Sequence, residues 1–566
     1  MMHQHHGTSG TGPFSRDPAG LPSARPTPEL HLADGDELDL RIAPVANRIA
    51  DAEVRMLAYN GSIPGPVLRV PQGSEIVVHV QNDGDVDATV HWHGLRLENR
   101  YDGVPHETQR PIPVGGRFTY RVRFPDTGLY WYHPHIREDY AQDMGLSGTI
   151  VVSPSDPDYW PPVDRDVVLV VDDVLIEDGR IAAYDRGGPD HTAMGRFGNV
   201  LLVNGGTGWS LAATSGEVVR FHLTNTANTR VFNLAIPGAR TKLVGGDSGR
   251  YEHETFVDEV LIAPSERAVV DVRFEGTGTF PLEHRTPDHT YTLGRIVVEE
   301  GAATDAAGSF DFLRSAPELE TERARIDAEL AREPDKVLAF VAEMDVPAPG
   351  VEAGGPSPDA GGPRFACPMD PEVVSVEPAR CPTCGMKLLP IEMVPAATEL
   401  LERSGERPEG HHADTGHVGG GHAAGSIEWE DTMEAVNRET NPSNMRWLLV
   451  DRQTGRRNAQ IEWAFTVGDR VKIRLVNEMD SDHPMHHPFH IHGAGRFLVL
   501  SRDGNVEPNL VWKDTVLVRT GQVVDILFDV SNPGLWMAHC HIAEHAESGM
   551  MFSFPVARLP EVDERR

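Results

Sequence analysis

Four pairs of histidines separated by one residue stand out in this 566-residue chain. Residues two apart on a β-strand face the same side, so each pair presents two imidazoles together. Imidazole binds copper, zinc, iron and nickel. A single pair of this kind is weak evidence, because two surface histidines would give the same pattern, but four pairs indicate metal sites. They are His91/His93, His133/His135, His490/His492 and His539/His541.

The last pair encloses a cysteine, Cys540. Alternation along a strand sends its thiol to the face opposite the two histidines, where it would bind a separate metal a short covalent distance away. Two histidines, one cysteine and a weakly bound methionine form the ligand set of a blue-copper electron-transfer site. A buried structural thiol is the alternative. The neighbours that complete the set are His487, His545 and Met550.

These donors suffice for four metal ions. The eight paired histidines can serve three ions as two, three and three ligands, and the cysteine set can serve a fourth. The pattern therefore predicts one metal apart and three together.

Internal repeats indicate the elements that must position these ligands. A turn glycine followed by a β-branched run begins at Gly73, Gly216 and Gly468, and a second strand pattern follows each copy. With 55 glycines and 44 prolines, this predicts a mainly β protein of three related Greek-key β-barrel or sandwich domains. The middle copy has Glu283 and His284 where the others have histidine pairs, so we expect it to be a spacer.

About 100 additional residues separate the second and third repeats. We therefore expect an insertion there, preceded by a charged helical segment. The predicted divisions are a disordered tail over 1–30, domain one over 31–157, domain two over 158–302, a helical connector with a possible first strand of domain three over 303–346, an insertion over 347–425, and domain three over 426–566.

The histidine motifs, in this order and on this plan, resemble those of the multicopper oxidases, a laccase-like family of cupredoxin-like domains. The resemblance implies oxidation of a reducing substrate, one electron at a time, at a type 1 copper. Electrons would pass through Cys540 and its flanking histidines to a three-copper cluster that reduces O2 to water. The matching stretches are His91-Trp-His-Gly94, Trp131-Tyr-His-Pro-His135, His487-Pro-Phe-His-Ile-His-Gly493 and His539-Cys-His-Ile-Ala-Glu-His545 with Gly549-Met550.

The resemblance also implies which residues bind each of four coppers. The type 1 copper would take His487, Cys540 and His545 with Met550 axial, the type 2 copper His91 and His490, and the type 3 pair His93, His133 and His541 on one ion and His135, His492 and His539 on the other. The residues expected to act in catalysis are Cys540, His539, His541 and Asp102.

The acids that would supply protons are less clear from the resemblance. Asp102 matches an acidic residue that the family has near the type 2 copper, while a turn aspartate before glycine is the alternative. Many bacterial relatives have a glutamate directly after the last type 1 histidine, where this chain has Ala546. Glu544 and Glu547 are candidates to replace it, and the relay stays unassigned.

A small cysteine unit lies within the insertion, at about 365–392. Cys381 and Cys384 form a Cys-x-x-Cys knuckle and Cys367 adds a third thiol, a pattern that suits a soft metal ion. The unit looks like the heavy-metal-binding domain found beside metal transporters. That family often has histidine where this chain has Asp370, which leaves the fourth ligand open. A zinc-stapled knuckle with no role in metal traffic is the alternative.

The net charge of −34 argues against nucleic acid or an anionic membrane as the main partner and favours cationic substrates. No apolar signal core and no membrane-length run is visible, so a cytoplasmic location is the default expectation, with a removed or unconventional export signal left open. The expected partners are O2 and a small reducing substrate, either a phenolic or aromatic donor or a metal ion such as Cu(I). The oligomeric state is not predicted.

Three functions compete for this ligand set. An O2-reducing oxidase would use all of it, whereas a copper nitrite reductase needs fewer histidine pairs and normally has two domains per chain. A non-enzymatic copper store is the third possibility, because a store can use any histidine or cysteine. Copper stoichiometry together with O2 uptake separates these functions.

Overall fold

The computed structural model describes residues 12–301, 304–345, 364–404 and 426–559. The described strands form three domains, each with two main sheets that share a hydrophobic core. The prediction of a mainly β protein with three related domains is confirmed. Within the described residues, no helix has the length and apolar character that a membrane span requires.

The first domain illustrates how sequence alternation produces these sheets. Along Glu75–Asn82 every second side chain is buried, as a half-exposed strand requires. Two short helices, Asn99–Tyr101 and Glu138–Ala141, follow the first two histidine pairs. The strands are Glu37–Ile49, Ala52–Tyr59, Glu75–Asn82 and Arg117–Arg123 in one sheet, and Glu29–His31, Val67–Pro71, His91–His93, Gly128–His133 and Gly148–Ser153 in the other.

The second domain repeats this plan without the histidine pairs. Its strands are Arg165–Val174, Val200–Val203, Val218–Asn225, Arg240–Gly246, Gly249–Val257 and Arg267–Arg273 in one sheet, Trp209–Thr214, Phe232–Ala235, Val260–Ile262, Gly278–Arg285 and Thr290–Glu299 in the other, and Ile176–Glu177 with Arg180–Ile181 in a small hairpin.

A connector of two helices, Asp305–Ser309 and Pro317–Leu330, leads to the third domain. Proline at the first turn and acidic residues near it favour the start of the longer helix. Leu319 and Ile326, two turns apart, pack against the third domain. The strand Lys336–Met344 then enters that domain's sheet.

The third domain holds the last two histidine pairs on neighbouring strands. Its strands are Lys336–Met344, Met445–Asp451, Arg470–Asn477, Gly495–Arg502, Asn505–Val506 and Val523–Val530 in one sheet, and Phe465–Thr466, His487–Ile491, Thr515–Val518, Gly534–Cys540 and Met551–Ala557 in the other. Its helices are Glu434–Asn437, Asn458–Gln460 and Ala543–Glu547.

The insertion begins after Met344, at the end of a strand of the third domain, and the neighbouring strand of that sheet begins at Met445, the direct cross-strand partner of Met344. Its described part has the strands Phe365–Ala366, Val374–Ser375 and Leu389–Pro390 and the helices Ile391–Met393 and Pro395–Ser404. The buried residues of this unit belong to the same hydrophobic cluster as the core of the third domain. The His/Gly-rich stretch at 411–422, whose low-complexity composition predicts a linker, lies outside the described residues.

The prediction of a disordered tail over 1–30 is wrong from residue 12 onward. Phe14 is buried and stacks on Tyr140, with ring centroids 3.8 Å apart. The amide of Ala24 donates to the carbonyl of Ala46, and Glu29–His31 pairs with a strand of the first domain. Buried apolar side chains and backbone hydrogen bonds therefore hold in place a segment that was predicted to be disordered. Residues 1–11 lie outside the described residues.

Candidate metal centres

The histidine pairs of the first and third domains meet at one buried interface. Within each domain the pairs are in register: His91 lies opposite His133, and His490 opposite His539. Across the interface the rings of His91 and His492 stack with centroids 4.0 Å apart. Pairs far apart in sequence therefore share one centre.

The eight histidines fall into three groups, two of which share His93, and in each group the candidate ligand atoms lie within 4.8 Å of one another. All eight side chains are buried. The groups are His91, His93 and His490; His93, His133 and His541; and His135, His492 and His539.

Backbone carbonyls fix the tautomer of several rings. A carbonyl only accepts hydrogen bonds, so each bonded Nδ1 carries the hydrogen and Nε2 keeps a bare lone pair. The Nε2 atoms of His91, His133 and His490 are buried without a hydrogen-bond partner. The bonds run from Nδ1 of His91 to Asp102 O at 2.7 Å, of His133 to Pro134 O at 2.7 Å, of His490 to Asp514 O at 2.9 Å and of His539 to Cys540 O at 2.9 Å.

The third group gives the sharpest test of fit to a metal ion. Nε2 of His492 lies 3.3 Å from Nε2 of His135 and 3.1 Å from Nε2 of His539. Each of these rings has its Nδ1 on an oxygen acceptor, so three lone pairs converge with no hydrogen between them. A bound cation satisfies that arrangement, and imidazole donors suit copper.

Burial also keeps these rings in the state that binds metal. It lowers the pKa of His133, His490 and His539 well below the usual histidine range, and that of His541 to about 3. These four imidazoles are therefore neutral, and no proton on them competes with a metal ion at neutral pH.

His93 is oriented the other way round by Asp514. Its Nε2 lies 3.0 Å from a carboxylate oxygen of Asp514, which leaves a buried Nδ1 without a hydrogen-bond partner facing the centre. Asp514 in turn binds the guanidinium of Arg267 at 2.7 Å. Arg267 belongs to the second domain, so the expectation that this domain is only a spacer is wrong.

Asp102 lies between two rings of the centre. It is fully buried, its Oδ2 is 2.8 Å from Nδ1 of His492, and its carbonyl binds His91. Burial opposes ionisation, but the two rings outweigh it and hold the pKa of this carboxyl below its usual range. Gly103 follows at φ +86°, where a Cβ would lie 2.2 Å from the carbonyl oxygen of Val90. The turn thus serves to place Asp102 against both histidines.

Glu138 was not found from the sequence, yet its Oε1 lies 2.8 Å from Nδ1 of His135. Its backbone amide donates to the carboxylate of Glu547 at 3.1 Å. Burial raises the pKa of Glu547 to about 7 and that of Glu544 to about 8. Of the two candidates to replace Ala546, Glu547 is therefore the one that adjoins the histidine centre.

Cys540 faces away from this centre, as strand alternation predicts. Its Sγ lies 3.4 Å from Nδ1 of His487 and 3.7 Å from Nδ1 of His545, and Met550 is buried in the same core. Its neighbours His539 and His541 point into the other centre. Cys540 thus connects the two sites, because one peptide bond joins it to His539 and another joins it to His541.

Protein rings cover the histidines of this second site. The indole of Trp447 stacks on His545 with centroids 4.0 Å apart, and Phe340 stacks on His487 at 5.2 Å. Cys540, His487 and His545 have no exposed surface. The sequence had no spacing signal for Trp447, because it reaches the site from another strand.

The cysteine unit of the insertion forms a third cluster. Cys367, Asp370, Cys381 and Cys384 are buried, and their ligand atoms lie within 4.8 Å of one another. Sγ of Cys367 is 3.4 Å from Sγ of Cys384, and Sγ of Cys381 is 3.2 Å from Oδ2 of Asp370. Asp370 thus occupies the place of the fourth ligand that the sequence left open. Three thiols and a carboxylate fit a tetrahedral metal ion.

Known proteins resemble this chain over most of its length. The chain is 26% identical over 526 residues to the multicopper oxidase MmcO of Mycobacterium tuberculosis, covering 88% of this chain and 82% of that protein. It is 23% identical to copper resistance protein A of Escherichia coli, covering 91% and 92%. The solved structure of a metallo-oxidase, the multicopper oxidase from Campylobacter jejuni, superposes with a TM-score of 0.60 at 20% identity, covering 96% of this chain and 99% of that one.

Family models match the chain domain by domain. Multicopper oxidase models match residues 42–157, 164–300 and 431–559, and a heavy metal binding domain model matches 364–391. These matches confirm the predicted family, its copper-dependent oxidation coupled to O2 reduction, and the likeness of the insertion to a heavy-metal-binding domain. The chain is a member of the multicopper oxidase family, an oxidoreductase with three cupredoxin-like domains and an inserted heavy-metal-binding domain.

Proposed function

We propose that this enzyme holds four copper ions and oxidises a small reducing substrate at the one that Cys540 would bind. The observation that carries the proposal is the convergence of bare imidazole nitrogens between the outer domains, with Cys540 facing a separate site. The proposed ligands are His487, Cys540, His545 and axial Met550 for type 1; His91 and His490 for type 2; and His93, His133, His541, His135, His492 and His539 for the type 3 pair.

Copper at these sites would supply one-electron exchange at type 1 and reduction of O2 at the cluster. The protein's part is to hold the ligands before metal arrives. Carbonyls set the tautomers, while Asp102 and Glu138 accept hydrogen from Nδ1 of His492 and His135. Such outer partners fix ring orientation and raise ligand basicity.

The backbone around Cys540 links the two sites. His539 and His541 flank this residue, so a continuous covalent path through the backbone would join the thiolate to the ligands of either type 3 ion. Keeping the substrate at one site and O2 at the other separates substrate radicals from oxygen chemistry. The copper count and the role of each residue are part of this proposal.

We also propose that Cys367, Asp370, Cys381 and Cys384 hold one further soft metal ion. The donor set supports this, because thiolates select Cu(I) and zinc over harder ions. A structural zinc and a transiently bound Cu(I) both suit this set, and the ion present after purification distinguishes them.

Copper analysis, the blue absorption band and O2 uptake test the main proposal together. We expect about four coppers per chain in the outer domains, a blue band, and O2 uptake with a reducing donor. Cys540→Ser should remove the blue band and stop turnover, while Glu377→Gln, an exposed change in the insertion, should alter neither. Tightly bound copper without O2 uptake would instead indicate storage. Substrate-driven O2 reduction that persists in Cys540→Ser would contradict the proposed wiring.

A further inference from the structure

The cysteine unit is held against the loop that leads to His487, residues 478–486. The amide of Lys387 donates to the carbonyl of Asp482 at 2.9 Å, and its Nζ donates to the carbonyl of Met344 at 2.7 Å. The guanidinium of Arg380 pairs with the Asp482 carboxylate at 3.1 Å. The unit is therefore docked on the third domain at a defined place.

The contact continues through the metal-binding knuckle itself. Gly385 follows Cys384 at φ +78°, and a Cβ there would lie 3.4 Å from the terminal methyl of Met479. On the other side, Thr432 donates to the sulfur of Met369 at 2.7 Å. The cysteines of the unit belong to the same buried cluster as Trp447 and Cys540.

The type 1 site itself offers no ring to a bulky donor. His487 and His545 have no exposed surface, and Phe340 and Trp447 stack on them. An aromatic donor such as hydroquinone would therefore reduce this site across the covering rings, unless an opening brings it to a ligand histidine. A donor ion held inside the protein needs no such opening.

The donor set of the cysteine unit suits an ion that changes charge. Three thiolates bind soft Cu(I), whereas a carboxylate is a harder ligand that suits Cu(II). Asp370 contacts the thiols of both Cys367 and Cys381, so both kinds of donor face one position. The chain's net charge of −34 further favours a cationic substrate.

We propose that the Cys367–Asp370–Cys381–Cys384 cluster is the substrate site of this enzyme and that its substrate is Cu(I). The proposal rests on the oxidase function proposed above and names its electron donor. Each Cu(I) bound there gives one electron to the type 1 site across the docked interface and leaves as Cu(II). Four Cu(I), one O2 and four protons give four Cu(II) and two water molecules.

Anaerobic bleaching of the blue band tests this without turnover. The four-copper protein is mixed with Cu(I), supplied as its acetonitrile complex, or with hydroquinone. In Cys381→Ser/Cys384→Ser we expect bleaching by Cu(I) to slow about tenfold or more, with bleaching by hydroquinone unchanged. Affinity for Cu(I), measured by competition with a chromophoric chelator, should fall with it. Glu377→Gln, an exposed substitution on the same unit, is the matched control.

A second variant separates binding from docking. Arg380→Gln removes the pair with Asp482 but leaves all four ligands. We expect its Cu(I) affinity to match the wild type while bleaching by Cu(I) slows several-fold. Because this variant keeps the four ligands, it tests the proposal even where the cysteine substitutions unfold the unit.

The outcomes are distinct from those of the main proposal. Bleaching by Cu(I) at the wild-type rate in the cysteine variant overturns the substrate site, even though four coppers and O2 uptake with hydroquinone would still support the oxidase. A purified protein with one zinc in the unit that Cu(I) does not displace also overturns it. Failure of hydroquinone to bleach the band or drive O2 uptake would count against the oxidase proposal instead.

Discussion

The middle domain has the same strand plan as its two neighbours but lacks their chemistry. In the outer domains the paired strands place His91 opposite His133 and His490 opposite His539. The corresponding strands of the middle domain place Leu234 opposite His284. The common fold therefore provides the position, and side chains provide the function.

The one histidine at that place in the middle domain also differs in its tautomer. Nδ1 of His284 accepts from the amide of Asn233 at 3.1 Å, so its Nε2 carries the hydrogen. In the outer domains Nδ1 donates to a carbonyl in four of the rings, which leaves the Nε2 lone pair bare in His91, His133, His490 and His539. Whether the backbone group at Nδ1 is a donor or an acceptor thus decides which ring nitrogen carries the hydrogen, and so distinguishes a packing histidine from a candidate ligand.

The strongest test of this contrast removes one buried histidine from each kind of domain. We expect His490→Ala to lose O2 uptake by more than the roughly 100-fold that loss of an outer partner causes, with the blue band retained. His284→Ala, equally buried, should keep copper content and O2 uptake and lose only folding stability. Copper loss in His284→Ala would break the comparison.

The middle domain's contribution through Arg267 can be tested with a matched arginine. Arg267→Met leaves Asp514 buried and unpaired beside His93, which should cost about 3–5 kcal/mol of stability and weaken copper retention about tenfold. Arg220→Met breaks a similarly buried pair with Asp271 inside the middle domain and should lower stability without copper loss. Calorimetry and copper release to a chelator measure both effects. Equal copper retention in the two variants would restore the spacer interpretation.

The buried acids near the outer-domain interface predict a pH effect. Burial raises the folded-state pKa of Glu544 to about 8, so the folded chain binds more protons than the unfolded chain between pH 5 and 8, and stability falls as pH rises. In metal-free protein, Glu544→Gln should remove about 3 kcal/mol of that decline. Calorimetric unfolding at pH 5 and 8 measures it, with Glu377→Gln as control. Parallel declines in variant and wild type would show that Glu544 does not ionise on this pH scale.

The smallest expected effect comes from adding a histidine to the middle domain. Leu234→His places an imidazole opposite His284, whereas each histidine pair of an outer domain also meets a pair from the other outer domain. We expect no additional copper and a loss of about 1–2 kcal/mol from burying a polar ring. Copper analysis and thermal unfolding are the measurements. A fifth copper would show that register alone builds a site.

The sequence predicted the parts of the site that lie on strands. Alternation placed paired histidines on one face and Cys540 on the other, and the repeats showed which domains carry them. Asp514, Glu138 and Arg267 were missed because each reaches a histidine from a different element, with no spacing in the chain to mark it. Asp370 carried a local signal, three residues after Cys367, and its role became clear only when the thiols were placed around it. The docking of the cysteine unit was equally invisible, since its composition resembles a tethered module.

The two ends of the insertion are neighbours, since Met344 and Met445 face each other across adjacent strands. Loop-closure entropy rises only slowly with the number of residues between fixed ends, so this hairpin tolerates very different lengths at little thermodynamic penalty. An oxidase of this kind can therefore exchange its metal-binding accessory for another cassette, or dispense with it, while the barrel that holds the coppers keeps its closure.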